Sequence, residues 1–429
     1  GSRALSPRPC SRMTRRRLWR GAVRLRSTLS AAPPTRVAAL RQLVAEESPN
    51  LFAFAGGGGP SAGGAATSSS GAAALSERAV ALAAAAGPVE LDAAPLAASL
   101  DDRYGRRHTY LRISLTERCS LRCTYCMPAD GVSLTDARRL LSAEELLRLA
   151  ALFVRAGVDK IRLTGGEPTV RPDLAAVVGA LDGLRPLGLR QIAMTTNGVA
   201  LSRLLPSLHA AGLDKLNLSL DTLQRGRFLE LTRRDALPKV LRAVDAALAL
   251  GYTPLKLNCV VMRGVNEHEV DAFAALARAR PIDVRFIEFM PFDDNDWSDS
   301  KLVPSAELLA ALSQRQPGLR RLRTDAHDVA RTYSWPGAEG SVSFISSMTE
   351  PFCGGCNRLR LTADGSLKVC LFGGSEISLR DAMREGASDA QLLALVSSAL
   401  GRKHARHAGL ASPHDIARTK NRPMTTIGG

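Results

Sequence analysis

From residue 110 the chain alternates short apolar runs with amphipathic ones, and that rhythm limits its fold more than any other feature. "YLRISL" (110–115), "KIRLTGG" (160–166), "QIAMTTNG" (191–198), "KLNLSLD" (215–221), "PLKLNCVVM" (254–262) and "VRFIEFMP" (284–291) read as strands. Helical patterns separate them. "SAEELLRLAALFVRAG" has Ser142 as N-cap, Glu145 at the capping-box position and Gly157 as its stop. "RPDLAAVVGALDGL", "LPKVLRAVDAALALG" and "NEHEVDAFAALARA" follow the same logic, while "LSRLLPSLHAAG" reads as a helix interrupted by Pro206. Six such units predict an α/β protein with a parallel sheet covered by helices, closing as an incomplete (β/α)6 TIM-like barrel over 101–291. After about residue 292 the rhythm breaks, which predicts a smaller C-terminal domain over 292–429.

The first hundred residues differ in kind. Eleven arginines precede the first acidic residue, Glu46, and the chain as a whole carries a formal charge of +16. "MTRRRLWRGAVRLRSTLS", from Met13, is rich in Arg and Ser with no acid, the composition of a mitochondrial transit peptide. "GGGGPSAGGAATSSSGAAA" reads as a flexible linker. Residues 1–100 are therefore set apart as transit peptide and linker, with the mitochondrial matrix, rather than a plastid, as the expected location. No window offers about 18 uncharged apolar residues, so no membrane span is expected. Aromatic residues make up 4% and do not interleave with a Lys/Arg block, so the positive charge is read as serving an anionic small substrate and not nucleic acid.

Polar residues close the strands. Gly165, Gly166, Glu167, Thr195, Asn197, Ser219, Asp221 and Met290 would meet at the C-terminal mouth of a βα barrel, where ligands bind. Arg112 and Arg162 alternate with Leu111/Ile113 and Ile161/Leu163. If the apolar face packs on helices, both guanidiniums point inward, where they need an anion. Arg358 and Arg360 in "NRLR" share one face of an extended segment, and Arg forks well onto phosphates.

Six of the eight cysteines form two trios: Cys119, Cys123 and Cys126 after the first strand, and Cys353, Cys356 and Cys370 near the end. Three thiolates can hold three irons of a cubane and leave the fourth open. A zinc site with a fourth ligand from elsewhere is the other reading of each trio.

"CSLRCTYC" and "GGEP" resemble the radical S-adenosylmethionine (SAM) superfamily. "LRISLTERC", "KIRLTGGEP", "TTNG", "FIEFMP", "FCGGCNRLRLTADGSLKVCLF" and the terminal Gly-Gly resemble, more narrowly, the GTP 3′,8-cyclase family of molybdenum cofactor biosynthesis, from about Asp101 to Gly429. The resemblance implies two [4Fe-4S] clusters, one on each trio, with SAM on the open iron of the first and the guanine of GTP on that of the second. It implies SAM contacts at Tyr125, Gly166, Ser219 and Met290. It assigns GTP to Arg112, Arg162, Thr195, Lys256, Arg358, Leu359 and Arg360, with Arg112, Arg358 and Arg360 as catalytic residues. The implied reaction takes hydrogen from C3′ of GTP with a 5′-deoxyadenosyl radical and joins the ribose to C8, giving 3′,8-cyclo-7,8-dihydro-GTP. Expected partners are GTP, an electron donor and a downstream cyclic pyranopterin synthase; a homodimer is left open. Ser120 stands where the family usually carries Asn.

By the same resemblance the tail ending in Gly428 and Gly429 reaches into the active site. Cys259 reads as a buried strand residue, and His404 and His407 as surface residues of a helix. Two rivals stay open on the residues alone: a peptide-modifying radical enzyme with auxiliary clusters, and a non-catalytic iron–sulfur sensor.

Overall fold

In a computed structural model, residues 100–427 are described, apart from 294 and 326, together with Gly1. The expected transit peptide and linker, Cys10, Gly428 and Gly429 lie outside the described residues. All that follows concerns the unit spanning 44–429.

Six strands form in the expected places: β1 Tyr110–Ser114, β2 Lys160–Thr164, β3 Gln191–Thr196, β4 Lys215–Ser219, β5 Leu255–Val261 and β6 Ile282–Glu288. Each pairs in parallel with the next. The crossovers are helical: α1 Ala143–Arg155, α2 Leu174–Asp182, α3 Leu201–Ala210, α4 Arg225–Thr232, α5 Leu237–Ala249 and α6 Val270–Ala279. Ser142 and Glu145 make the predicted reciprocal capping box at the start of α1. Pro206, by contrast, does not interrupt α3. Its ring lies on the exposed face, while Leu201, Leu205 and Leu208 on the other face are buried. Burial of the three leucines, worth ~1.5–3 kcal/mol each, outweighs the ~3 kcal/mol that an interior proline costs.

The strand residues that face the helices, including Leu111, Ile113, Ile161, Leu163, Leu257 and Phe286, belong to one continuous core. Cys259 is part of it, as expected. The opposite faces of the same strands carry Arg112, Arg162, Thr195, Asn217, Lys256, Asn258 and Arg285 and look into the barrel.

After β6 come α7 Ser305–Arg315, β7 Arg320–Arg321, β8 Arg331–Ser334 and β9 Ser341–Ile345. Then follow β10 Arg358–Leu361, β11 Ser366–Lys368 and β12 Ile377–Ser378. Four helices end the described chain: α8 Leu379–Arg384, α9 Asp389–Gly401, α10 Pro413–Arg418 and α11 Met424–Ile427. β9 pairs in parallel with β6, and β10 pairs in parallel with β1. The sheet order is β12-β11-β10-β1-β2-β3-β4-β5-β6-β9-β8-β7. The break in rhythm near residue 292 is thus a change of connection and not a break in the sheet. Later residues lengthen the parallel run by one strand at each edge, beyond the six units that periodicity reveals. β9 and β10 do not pair with each other, so the barrel stays open. Among the described residues no helix is long and apolar enough to cross a membrane.

Candidate active site

Register assembles the interior charges. Arg112 on β1 stands opposite Arg360 on β10 at one side and Arg162 on β2 at the other. Residues opposite one another in a ladder share a face, so three guanidiniums from three strands form one row. One step towards the strands' N-termini, Arg358, Tyr110 and Lys160 form a second row. Burial and the neighbouring charge of Arg360 push Arg112 down to about 9. Burial and Arg358 push Arg360 down to about 10. Burial alone would raise the Tyr110 phenol, but Arg162, Arg112 and Lys160 outweigh it and bring it down to about 7. Arg162 donates from Nε to Tyr110 Oη at 2.5 Å and from Nη1 to Thr195 Oγ1 at 3.3 Å. Across the barrel Lys256 and Arg285 extend the positive surface, each lowered by burial first. Asp283 stands 3.8 Å from Arg285. The interior is therefore strongly cationic.

The first trio lies beyond the C-terminal end of β1. Its loop is tied to α4, because Arg122 N donates to Thr232 O and Thr124 N to Leu231 O. Arg233 closes the loop's far side through its Nη1 bond to Arg122 O. Cys123 lines a small cavity with Tyr125, Asn197, Ser219 and Asp221, so the ends of β3 and β4 meet the first-trio loop there. Tyr125 donates its hydroxyl to Asp221 Oδ2 at 2.7 Å, and burial raises Asp221 to about 6. Glu167 braces β2 against β3 by accepting from Thr169, Thr196 and the Asn197 amide. Asn197 in turn donates to Ser120 Oγ at 3.0 Å and approaches Cys119 Sγ at 3.7 Å. At Gly166 an added Cβ would lie 2.4 Å from Arg118 O, so only glycine fits.

The second trio lies at the opposite end. Cys356 comes two residues before Arg358, at the N-terminal end of β10. Cys370 comes two residues after β11, which runs back along β10. The Arg360–Arg112–Arg162 row therefore lies between the trios along the strand direction, while Cys370, continuing the β10–β11 register, comes level with Arg358 in the second row. Arg106 donates to Cys353 O at 2.8 Å, to Ala405 O and to His404 O, and pairs with Asp102. Lys403, buried, approaches Cys356 Sγ at 3.5 Å. Burial would raise the Cys356 thiol, yet Lys403 and Arg358 outweigh it and lower it.

The cysteines of both trios are free thiols. Burial raises Cys119 and Cys123, and burial with the nearby Cys119 charge takes Cys126 to about 12. As thiolates, then, they need a strongly positive partner. Among the described residues no three His, Cys, Asp or Glu converge as a single-ion site. Three thiols that need positive charge as thiolates could hold three corners of an iron–sulfur cubane.

Residues 113–277 match the Radical SAM superfamily, and residues 282–409 match Molybdenum Cofactor Synthesis C. An Arabidopsis thaliana protein named "GTP 3',8-cyclase, mitochondrial" is 55% identical over 335 residues, covering 78% of this chain and 85% of its own. The chain belongs to the GTP 3′,8-cyclase family. A Rhodopirellula baltica protein of the same name, "GTP 3',8-cyclase", is 42% identical, covering 77% of this chain and 92% of its own. Mus musculus "Molybdenum cofactor biosynthesis protein 1" is 55% identical over 78% of this chain but 52% of its own, so this chain spans about half the length of that relative. Among solved structures, Streptococcus suis SuiB bound to S-adenosylmethionine aligns with a TM-score of 0.47 at 15% identity, over 68% of each chain.

Within this member of the GTP 3′,8-cyclase family, the expected residues fall into three places. Arg112, Arg162, Thr195, Lys256, Arg358 and Arg360 surround the barrel interior. Tyr125, Gly166 and Ser219 lie at the first trio. Met290 packs instead with the apolar group of Phe292, Met348 and Phe372 that also takes Cys370. Leu359 stands apart from the other expected GTP residues. It pairs with Leu111 in the helix-side core and is fully buried, facing away from both arginines, so only its backbone can meet a ligand. His407 is a correction. It is buried, with Nε2 3.1 Å from Ser347 O and its ring edge-on to Phe372, because α9 has ended at Gly401 and the chain turns inward. Sequence reasoning missed Arg285, Tyr110 and Lys160. The period-2 argument that singles out Arg112 would have found Arg285 in "DVRFIE".

Proposed function

We propose that this chain is a radical SAM GTP 3′,8-cyclase, converting GTP to 3′,8-cyclo-7,8-dihydro-GTP in the first step of molybdenum cofactor biosynthesis. The observation that carries this reading is the in-register row of Arg360, Arg112 and Arg162, set between two thiol trios. Three guanidiniums side by side repel one another, and a triphosphate is an anion that offsets that repulsion.

In this reading Cys119, Cys123 and Cys126 hold one [4Fe-4S] cluster, and Cys353, Cys356 and Cys370 hold a second. Bound there with SAM, the first supplies one-electron reductive chemistry that the protein's own side chains lack. The residues themselves bind and orient. Tyr125, Gly166 and Ser219 frame SAM, with Asp221 fixing the Tyr125 ring. Arg112, Arg162, Arg358, Arg360, Thr195 and Lys256 grip GTP and hold its ribose towards the first trio. Holding both reactants at fixed separation is where proximity contributes most. We read 101–291 as the barrel and 292–429 as the segment carrying the second cluster. The Arabidopsis relative's name supports a mitochondrial location, and the matrix is the compartment we expect. An electron donor and a cyclic pyranopterin synthase are the expected partners.

The test is anaerobic incubation of reconstituted protein with SAM, dithionite and GTP. Formation of 5′-deoxyadenosine together with cyclised nucleotide is expected; its absence sinks the reading. Iron analysis should give about eight irons per chain, falling by half when Cys353, Cys356 and Cys370 are all replaced by Ala.

A further inference from the structure

Lys403 follows α9 and is almost wholly buried, 4% exposed. A buried lysine normally sits against a carboxylate. Among the described residues none pairs with Lys403. Its Nζ instead meets three acceptors: His108 Nε2 at 2.7 Å, Arg358 O at 3.4 Å and Cys356 Sγ at 3.5 Å. The ring of His108 fixes its own role. Nδ1 lies 3.0 Å from Leu100 O, a carbonyl that can only accept, so Nδ1 carries the proton and Nε2 offers a lone pair. An ammonium has three protons and a neutral amine two. Three acceptors in reach are satisfied together only by the charged form. The cation then faces a single group able to carry negative charge at hydrogen-bond distance, the Cys356 sulfur.

The surroundings hold this geometry. His108 is fully buried, and Arg106 ties Cys353 O to Ala405 O and His404 O, two carbonyls just after Lys403. The segment before β1 and the turn after α9 thus form a bracket around the second trio.

We propose that Lys403 is the built-in counter-charge of the second metal site, a positioning residue whose N–H···S bond holds Cys356 and raises the reduction potential of the cluster there. This rests on the reading that Cys353, Cys356 and Cys370 hold a cluster. Hydrogen bonds to the sulfurs and nearby charge are among the factors that set such potentials, and a fixed cation favours the more negative, reduced state.

The test is a redox titration of the reconstituted full chain followed by electron paramagnetic resonance, with the two triple Cys→Ala variants assigning each signal to its trio. Lys403→Met should shift the second-site equilibrium at least tenfold towards the oxidised form, about 59 mV for a one-electron couple, and leave the first-site signal in place. Lys403→Arg should keep most of the wild-type potential. Lys403→Gln keeps a donor without the charge and should fall between. It carries the test if Lys403→Met fails to fold, as judged by circular dichroism. A loaded second cluster whose potential is the same in wild type, Lys403→Met and Lys403→Gln overturns the proposal. A triple Cys353/Cys356/Cys370→Ala variant that holds as much iron as wild type overturns the two-cluster reading along with it.

Discussion

Arg112 and Arg360 stand directly opposite one another on adjacent parallel strands, although one lies near the start of the described chain and the other near its end. Burial and the charge of Arg360 lower Arg112, while burial and the charge of Arg358 lower Arg360. In the proposed reading such a pair serves a ligand and not the fold. Arg112→Met should weaken GTP binding roughly 10–100-fold, since a charge-assisted hydrogen bond is worth ~1.5–3 kcal/mol. It should not lower the thermal midpoint of the ligand-free protein. Calorimetric binding and thermal melts, each with and without GTP, check both halves. A large loss of ligand-free stability would mean that the row is structural.

Tyr110 should titrate near neutrality. Its phenol lies among Arg162, Arg112 and Lys160, which bring it down to about 7. An acid depressed in the folded state contributes stability at high pH and loses it as pH falls through the folded value. The stability difference between wild type and Tyr110→Phe should therefore shift towards wild type as pH rises from about 7 to about 10. Denaturant unfolding across that range measures it. The tyrosinate absorption should also fade when GTP is added, because a bound polyanion opposes ionisation. A pH-independent difference between the two proteins would show that the cations are farther from the phenol than the hydrogen bond implies.

Much of the site is legible in local pattern. Period-2 alternation marks which strand residues face inward, so the amino-acid sequence alone places Arg112 and Arg162, and the cysteine spacing marks both trios. The hidden part is what depends on distant pairing. Nothing near "NRLR" says that it returns to lie beside β1, and the alignment of Arg360 with Arg112 follows only from that register. The Lys403–His108 contact joins two segments with no local signal at all. Pro206 misleads because propensity is local, whereas burial of Leu201, Leu205 and Leu208 is decided by the packed sheet.

Glu167 should be a stability residue as much as a site residue. Its carboxylate, 1% exposed, accepts from Thr169 N at 3.0 Å, Thr169 Oγ1 at 2.6 Å, Thr196 Oγ1 at 2.6 Å and Asn197 N at 2.7 Å. Glu167→Ala strands these buried donors and should cost at least ~3 kcal/mol in urea unfolding. Because Asn197 reaches Ser120 and Cys119, iron at the first trio should be lost before iron at the second. Equal loss from both would argue for global unfolding instead.

Gly166→Ala tests whether the glycine serves the ligand or the loop that carries the thiols. A methyl there would stand 2.4 Å from Arg118 O and 2.6 Å from Glu117 O, both backbone atoms. Gly166 N also donates to Thr116 O at 2.7 Å, and Glu167 N to Arg118 O at 2.8 Å, so this strand end is tied to the loop that carries Cys119. Backbone cannot swing aside as a side chain can, so the whole 116–119 stretch must shift. If the role is to seat the loop, Gly166→Ala lowers iron at the first trio even with no SAM present, while the second trio loads normally. If the role is only to admit SAM, iron loading is unchanged and SAM affinity alone falls. The contact distances favour the first outcome. Iron analysis in the Cys353/Cys356/Cys370→Ala background, set beside SAM binding, separates the two.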